Sequence, residues 1–97
     1  MAIPTKDRKT SLHPDLVEQI LAQVKEEEIV AMSREVINIP SPTGEELQMA
    51  QYMQNALQQL GLHVTWQEVE EGRANVVGRW TGTGGGKNVM FNGHMDT

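Results

Sequence analysis

The 97-residue sequence contains no cysteine, few aromatic residues and no long apolar run. The absence of cysteine excludes disulfides, thiolate zinc sites and a catalytic thiol, so any metal must be bound by histidine and carboxylate side chains. No apolar stretch is long enough to cross a bilayer, and the charged N-terminus lacks the apolar segment of a secretory signal. We therefore expect a cytoplasmic protein with no membrane partner.

Positive charge is also scarce. Lys and Arg number 8 against 13 Asp and Glu, and the formal net charge is −5. Because nucleic-acid binding needs a basic surface that neutralises phosphates, we expect no nucleic-acid partner. The hydrophobic fraction of 38% is enough for one modest core, and the length corresponds to about one small domain.

The N-terminal half of the sequence has helical patterning. Residues 1–13 lack periodicity and are predicted to form a flexible arm. Apolar residues then recur at steps of three and four, which predicts two helices over about 15–24 and 26–38, with one continuous helix as the alternative. Pro40 and Pro42 end this pattern because the residue before a proline is disfavoured in a helix.

A third helix is predicted over 45–60 from a single apolar stripe. Thr43 and Glu46 have the spacing of a capping box, in which each side chain would accept a hydrogen bond from a free backbone amide at the start of the helix. Gly61 is predicted to be the left-handed residue that follows the helix.

After this helix the patterning changes to a period of two, which is typical of strands. Strands are predicted over 63–67 and 74–80, with a turn at 70–73. The short apolar run 88–92 is consistent with a third strand buried on both faces. Helices followed by strands indicate an α/β or α+β fold.

Two other features have ordinary structural interpretations. The glycine-rich loop 81–87 lacks the spacing of a phosphate-binding loop, because Thr81 and Asn88 stand where Gly and Ser or Thr are required. His13 and His63 are interpreted as solvated or hydrogen-bonded histidines, since no second ligand lies at a suitable spacing.

The C-terminal residues are the candidate site. His94 and Asp96 follow the predicted strand 88–92, and ligand sites of open α/β sheets form beyond the carboxyl ends of strands. In an extended chain, residues two apart point to the same side. Asp96 is thus placed to hold one ring nitrogen of His94 while the other binds a metal. The alternative is a polar strand end without a ligand.

Four stretches taken together carry a family resemblance: IPSPTGEE at 39–46, LGL at 60–62, GRANVVG at 72–78 and VMFNGHMDT at 89–97. In this order they resemble the N-terminal part of the dinuclear zinc amidohydrolases. That family includes acetylornithine deacetylase, succinyl-diaminopimelate desuccinylase, aminoacylase and glutamate carboxypeptidase. The resemblance covers about residues 26–97.

The resemblance implies a function and a site. His94 is similar to the family's first zinc ligand, and Asp96 to the acidic residue that orients this histidine. The family cleaves amide bonds of N-acyl amino acids or small peptides with a metal-activated water. The implied cofactor is zinc, two ions in the full-length parent, and a His/carboxylate set also accepts cobalt or manganese. The implied partners are the substrate and, in the full-length form, a second subunit of a homodimer.

The resemblance also implies that the sequence is partial. Residues 14–97 would be the N-terminal portion of a zinc-exopeptidase-like α/β catalytic domain, with the helices preceding strands of a mixed sheet. The other ligands, the general base and the lid or dimerisation domain would follow Thr97. We expect this polypeptide alone to be inactive and poorly stable or self-associating. The alternative function is a small non-catalytic α/β module that binds a peptide by strand addition.

Overall fold

The computed structural model describes residues 13–97. This part of the chain forms three helices followed by two strands. They are α1 (Pro14–Ala22), α2 (Glu26–Ile37), α3 (Leu47–Gln59), β1 (His63–Glu70) and β2 (Arg73–Arg79). The predicted order of helices before strands is confirmed, and at this coarse level the fold is compatible with α/β. The predicted flexible arm lies outside the described residues except for His13.

The chain divides into two compact units, with the boundary between Ser33 and Arg34. In the first unit, α1 begins with Pro14, and the Asp15 amide donates a hydrogen bond to Nδ1 of His13 at 3.3 Å. Helix α1 buries none of its residues. None of the helices within residues 13–97 combines the length and apolar character that a membrane crossing requires.

Helix α2 begins with three glutamates, which are favoured at the positive end of a helix dipole. Its bounds of Glu26–Ile37 agree with the predicted 26–38. In the second unit, the Tyr52 hydroxyl donates a hydrogen bond of 2.6 Å to the Glu35 carboxylate. This bond raises the pKa of Tyr52 and links the last turns of α2 to α3.

The end of helix α3 agrees with the prediction. The Gly61 amide donates to the Gln58 carbonyl, and the Leu62 amide donates to the Leu57 carbonyl. These two bonds form a Schellman motif, and Gly61 has the left-handed φ of 84° that the motif requires.

The predicted capping box at the start of α3 is wrong. Glu46 occupies the N-cap position and its side chain makes no capping hydrogen bond. The Thr43 hydroxyl donates to Asp96, and the Glu46 carboxylate binds Arg73. The physical reason is that hydrogen bonds involving charged groups are stronger than those between a neutral hydroxyl and an amide.

Strands β1 and β2 pair antiparallel, with Trp66 opposite Val76 and Val64 opposite Gly78. Both predicted strands exist, but β1 extends to Glu70. Helix α3 packs on one face of this sheet. A side chain at Gly78 would meet Leu62 at 2.8 Å and Leu57 at 3.1 Å, so glycine allows the helix end to approach the strand closely.

The predicted third strand over 88–92 is wrong for the described structure, in which the only sheet is two-stranded. The expected mixed sheet is therefore not formed by residues 13–97. Val89, Met90 and Phe91 are exposed, Phe91 by 95%. The physical reason is that a strand needs a neighbour to satisfy its backbone hydrogen bonds, and no strand lies beside this run in the described residues.

Candidate functional site

The site is organised by the turn that precedes helix α3. Ser41 is almost fully buried, with 1% of its surface exposed. Its hydroxyl donates to the Met95 carbonyl at 2.7 Å, and the Thr97 amide donates to the Ser41 carbonyl at 2.7 Å. These two bonds fix the backbone of residues 94–97 against the turn.

Thr43, in the same turn, adds a side-chain bond. Its hydroxyl donates to Oδ2 of Asp96 at 2.8 Å. This bond lowers the pKa of the Asp96 carboxyl, and the hydrogen bond from His94 lowers it further. Asp96 is therefore held as a carboxylate that accepts hydrogen bonds on both oxygens.

His94 and Asp96 lie together, as the two-residue spacing predicts. Nδ1 of His94 is 2.9 Å from Oδ1 of Asp96 and 2.8 Å from its carbonyl oxygen. Because a carbonyl and a carboxylate only accept hydrogen bonds, Nδ1 must carry the proton. In the neutral ring the lone pair then belongs to Nε2. The His94 side chain is 82% exposed, so this nitrogen is accessible to a ligand.

A second charged pair supports the turn. Arg73, the first residue of β2, donates from Nε and Nη2 to the two oxygens of Glu46, each at 3.0 Å. The Gly44 amide donates to the same carboxylate at 2.8 Å. The Arg73 guanidinium lowers the pKa of Glu46, and Glu46 raises that of Arg73. This bidentate pair joins the start of α3 to the sheet.

A pocket of about 250 Å³ lies beside His94. Its wall combines the Glu46–Arg73 pair with the segment that carries His94. The lining residues are Glu46, Val69, Arg73, Ala74, Asn75, Gly93, His94, Met95 and Asp96. The wall of the pocket thus contains the exposed His94 imidazole, the Asp96 carboxylate and the paired Glu46 and Arg73 side chains.

The described residues do not form a complete metal site. Among residues 13–97, no group of three or more His, Asp or Glu side chains could hold a metal ion. His13 caps α1 and His63 begins β1. A catalytic zinc generally has about three protein ligands, and the donor set here fits one ligand, His94, with Asp96 as its hydrogen-bond partner.

Sequence reasoning missed four residues of this site: Ser41, Thr43, Glu46 and Arg73. The sequence predicts only a helix cap for Thr43 and Glu46, and only a turn for Arg73. No local spacing links Ser41 to Met95, because 54 residues separate them. The one available signal was that these residues lie in the stretches 39–46 and 72–78, which the family resemblance had already singled out.

Comparison with known proteins adds no identification. No protein-family profile matches the chain, and no solved structure matches it.

Proposed function

We propose that this chain carries part of the active site of a metal-dependent hydrolase that cleaves amide bonds of N-acyl amino acids or small peptides. In this proposal His94 is a metal ligand and Asp96 orients its ring. The observation that carries the proposal is the pairing of Nδ1 of His94 with two acceptors of Asp96, at 2.9 and 2.8 Å.

The geometry of this pair supports ligation. Metal-binding histidines almost always donate their second ring N–H to a carboxylate or carbonyl, which fixes the tautomer and increases the basicity of the ligating nitrogen. Both kinds of acceptor hold the His94 ring, and its other nitrogen is exposed.

The convergence of distant segments is a second support. The Thr43–Asp96 and Glu46–Arg73 bonds join the stretches 39–46, 72–78 and 89–97. These are three of the four stretches that resemble the zinc amidohydrolases. Segments that resemble one family in order and also meet around one histidine are more consistent with a shared site than with separate chance similarities.

Within residues 13–97, the donor set supplies one candidate ligand, His94. The remaining ligands would lie outside residues 13–97, where the zinc-exopeptidase-like domain and its mixed sheet would also be completed. A bound zinc ion would supply a water whose pKa is about 7. Cobalt or manganese would suit the same ligand type. The residues present would hold the metal through His94 and restrain the ring through Asp96.

Replacing His94 by alanine tests the proposal, with His63→Ala as the matched control. His63 is an exposed histidine at the start of β1, outside the pocket. In the full-length parent, His94→Ala should lose bound zinc and hydrolysis of N-acetyl amino acids, whereas His63→Ala should keep both. Unchanged zinc content and activity in His94→Ala would refute the assignment.

The same experiment addresses strand addition. In the described residues β1 and β2 each have an outer edge without a paired strand, which a peptide strand could occupy. If the parent binds no metal and hydrolyses no amide, the enzymatic proposal fails and strand addition becomes the leading function.

A further inference from the structure

We propose that Thr43 is a positioning residue for His94 and acts through Asp96. This inference rests on the proposed function and extends its site by one residue. The structural basis is a chain of two hydrogen bonds, from the Thr43 hydroxyl to Oδ2 of Asp96 at 2.8 Å and from Nδ1 of His94 to Oδ1 at 2.9 Å.

The two oxygens of the Asp96 carboxylate accept hydrogen bonds from different side chains. Each oxygen of Asp96 accepts one of the two bonds, so the bond to Thr43 opposes rotation of the carboxylate away from His94. The Ser41 bonds fix the backbone of this segment but leave the carboxylate free to turn. Among the described residues, Thr43 is the side chain that restrains the far oxygen of Asp96.

The position of Thr43 argues against a role confined to local folding. Its spacing to Glu46 suits a helix cap, yet α3 has no side-chain capping bond from its N-cap residue. The hydroxyl is directed instead to a carboxylate 53 residues away. The Thr43 hydroxyl thus holds the partner of the candidate metal ligand and does not cap α3.

The inference predicts the state of the His94 ring. With Thr43 in place, the neutral imidazole should be mainly protonated at Nδ1. Without the hydroxyl, the carboxylate is free to rotate and solvent competes for both oxygens, so the population of the Nε2-protonated form should rise. Groups that orient a metal-bound histidine typically contribute about 10- to 100-fold to metal affinity. Because the Asp96 carbonyl still binds Nδ1, we expect a loss near the lower figure.

The test compares Thr43→Val, which removes only the hydroxyl, with Thr43→Ser, which keeps it. Thr83→Val, in the exposed glycine-rich loop, is the matched control. Nitrogen-15 spectra of His94, recorded where the ring is neutral, give the tautomer ratio. Zinc affinity of the full-length parent is measured for each variant. Thr43→Val should shift the tautomer and weaken zinc binding about tenfold, and Thr43→Ser and Thr83→Val should resemble the wild type.

The outcomes separate the two proposals. If zinc binds at His94 with equal affinity in wild type and Thr43→Val, and the tautomer is unchanged, the role of Thr43 is refuted while the proposed function stands. If zinc leaves the His94 nitrogens unperturbed in the wild type, the proposed function fails. Should Thr43→Val not fold, Thr43→Ala provides the same comparison, and equal tautomer ratios in Thr43→Ala and Thr43→Ser would also overturn the inference.

Discussion

Two adjacent segments of the chain, 80–93 and 94–97, differ sharply although neither is a helix or a strand. Segment 80–93 carries the apolar run of Val89, Met90 and Phe91, and all three side chains are exposed. Segment 94–97 is polar apart from Met95, and it is tied to the turn at Ser41 and Thr43 by three hydrogen bonds.

The difference teaches that the position of His94 does not depend on a preceding strand. The sequence predicts a strand over 88–92 that would place His94 at the end of a sheet. The structure instead places His94 through the turn before α3, which is held in turn by the Glu46–Arg73 pair. Hydrogen bonds that are part-buried at Ser41 and Glu46 and exposed at Asp96, rather than apolar packing of the neighbouring run, order the candidate site.

Among the variants, Arg73→Ala should reduce the thermal stability of the protein most. This change leaves the Glu46 carboxylate, which is 7% exposed, without its bidentate partner. The pair is partly buried, since the Arg73 side chain is 37% exposed, and removing Arg73 leaves a poorly solvated charge without compensation, which destabilises the fold. Arg79→Ala, at the exposed end of β2, is the control. Thermal unfolding should show a large fall in the melting temperature for Arg73→Ala alone. Equal melting temperatures would mean that the pair does not hold the turn.

Ser41→Ala should have the next largest effect. It leaves the Met95 carbonyl without its donor, which typically costs about 1–3 kcal/mol when the group is buried. Ser33→Ala is a close control, because Ser33 donates a bond of the same 2.7 Å length to the Ile29 carbonyl on an exposed helix surface. Hydrogen exchange at the Thr97 amide should accelerate in Ser41→Ala and stay unchanged in Ser33→Ala. Unchanged exchange in both variants would show that Ser41 does not anchor segment 94–97.

These serines illustrate what sequence could predict. The helices, β1, β2 and the end of α3 follow local rules, in which apolar spacing and Gly61 suffice. The pairing of His94 with Asp96 also follows from a two-residue spacing. The bonds of Ser41, Thr43 and Arg73 join residues far apart in the sequence. A hydroxyl can bind several acceptors, and only the folded backbone determines which acceptor lies within reach. The strand prediction for 88–92 is wrong because an apolar pattern forms a strand only where a neighbouring strand is present to pair with it.

Acidification should destabilise the turn less than the Arg73→Ala and Ser41→Ala substitutions do. The pKa of Glu46 is lowered in the folded chain, chiefly by Arg73. The ionised carboxylate therefore stabilises the folded state above the unfolded pKa, and this stabilisation is lost as the pH falls through the folded pKa. The pKa of Asp96 is also lowered in the folded chain. Melting temperatures should therefore decline as the pH falls from about 5. Glu46→Gln should flatten this decline in part, and an unaltered profile in that variant would contradict the role of the pair.

Phe91→Ser should change the stability least. This variant tests whether the exposed run in segment 80–93 contributes to the order of segment 94–97. A side chain that is 95% exposed contributes little to folding, so we expect a change within about 0.5 kcal/mol in the free energy of unfolding. Val76→Ser is the control, because Val76 lies half-buried on the sheet face toward α3 and its loss of apolar burial should cost more.

Light scattering should also report weaker self-association for Phe91→Ser, since the exposed apolar run would be shortened. A large destabilisation by Phe91→Ser would mean that the run packs against the chain after all, and the ordering of His94 could then no longer be attributed to the turn alone.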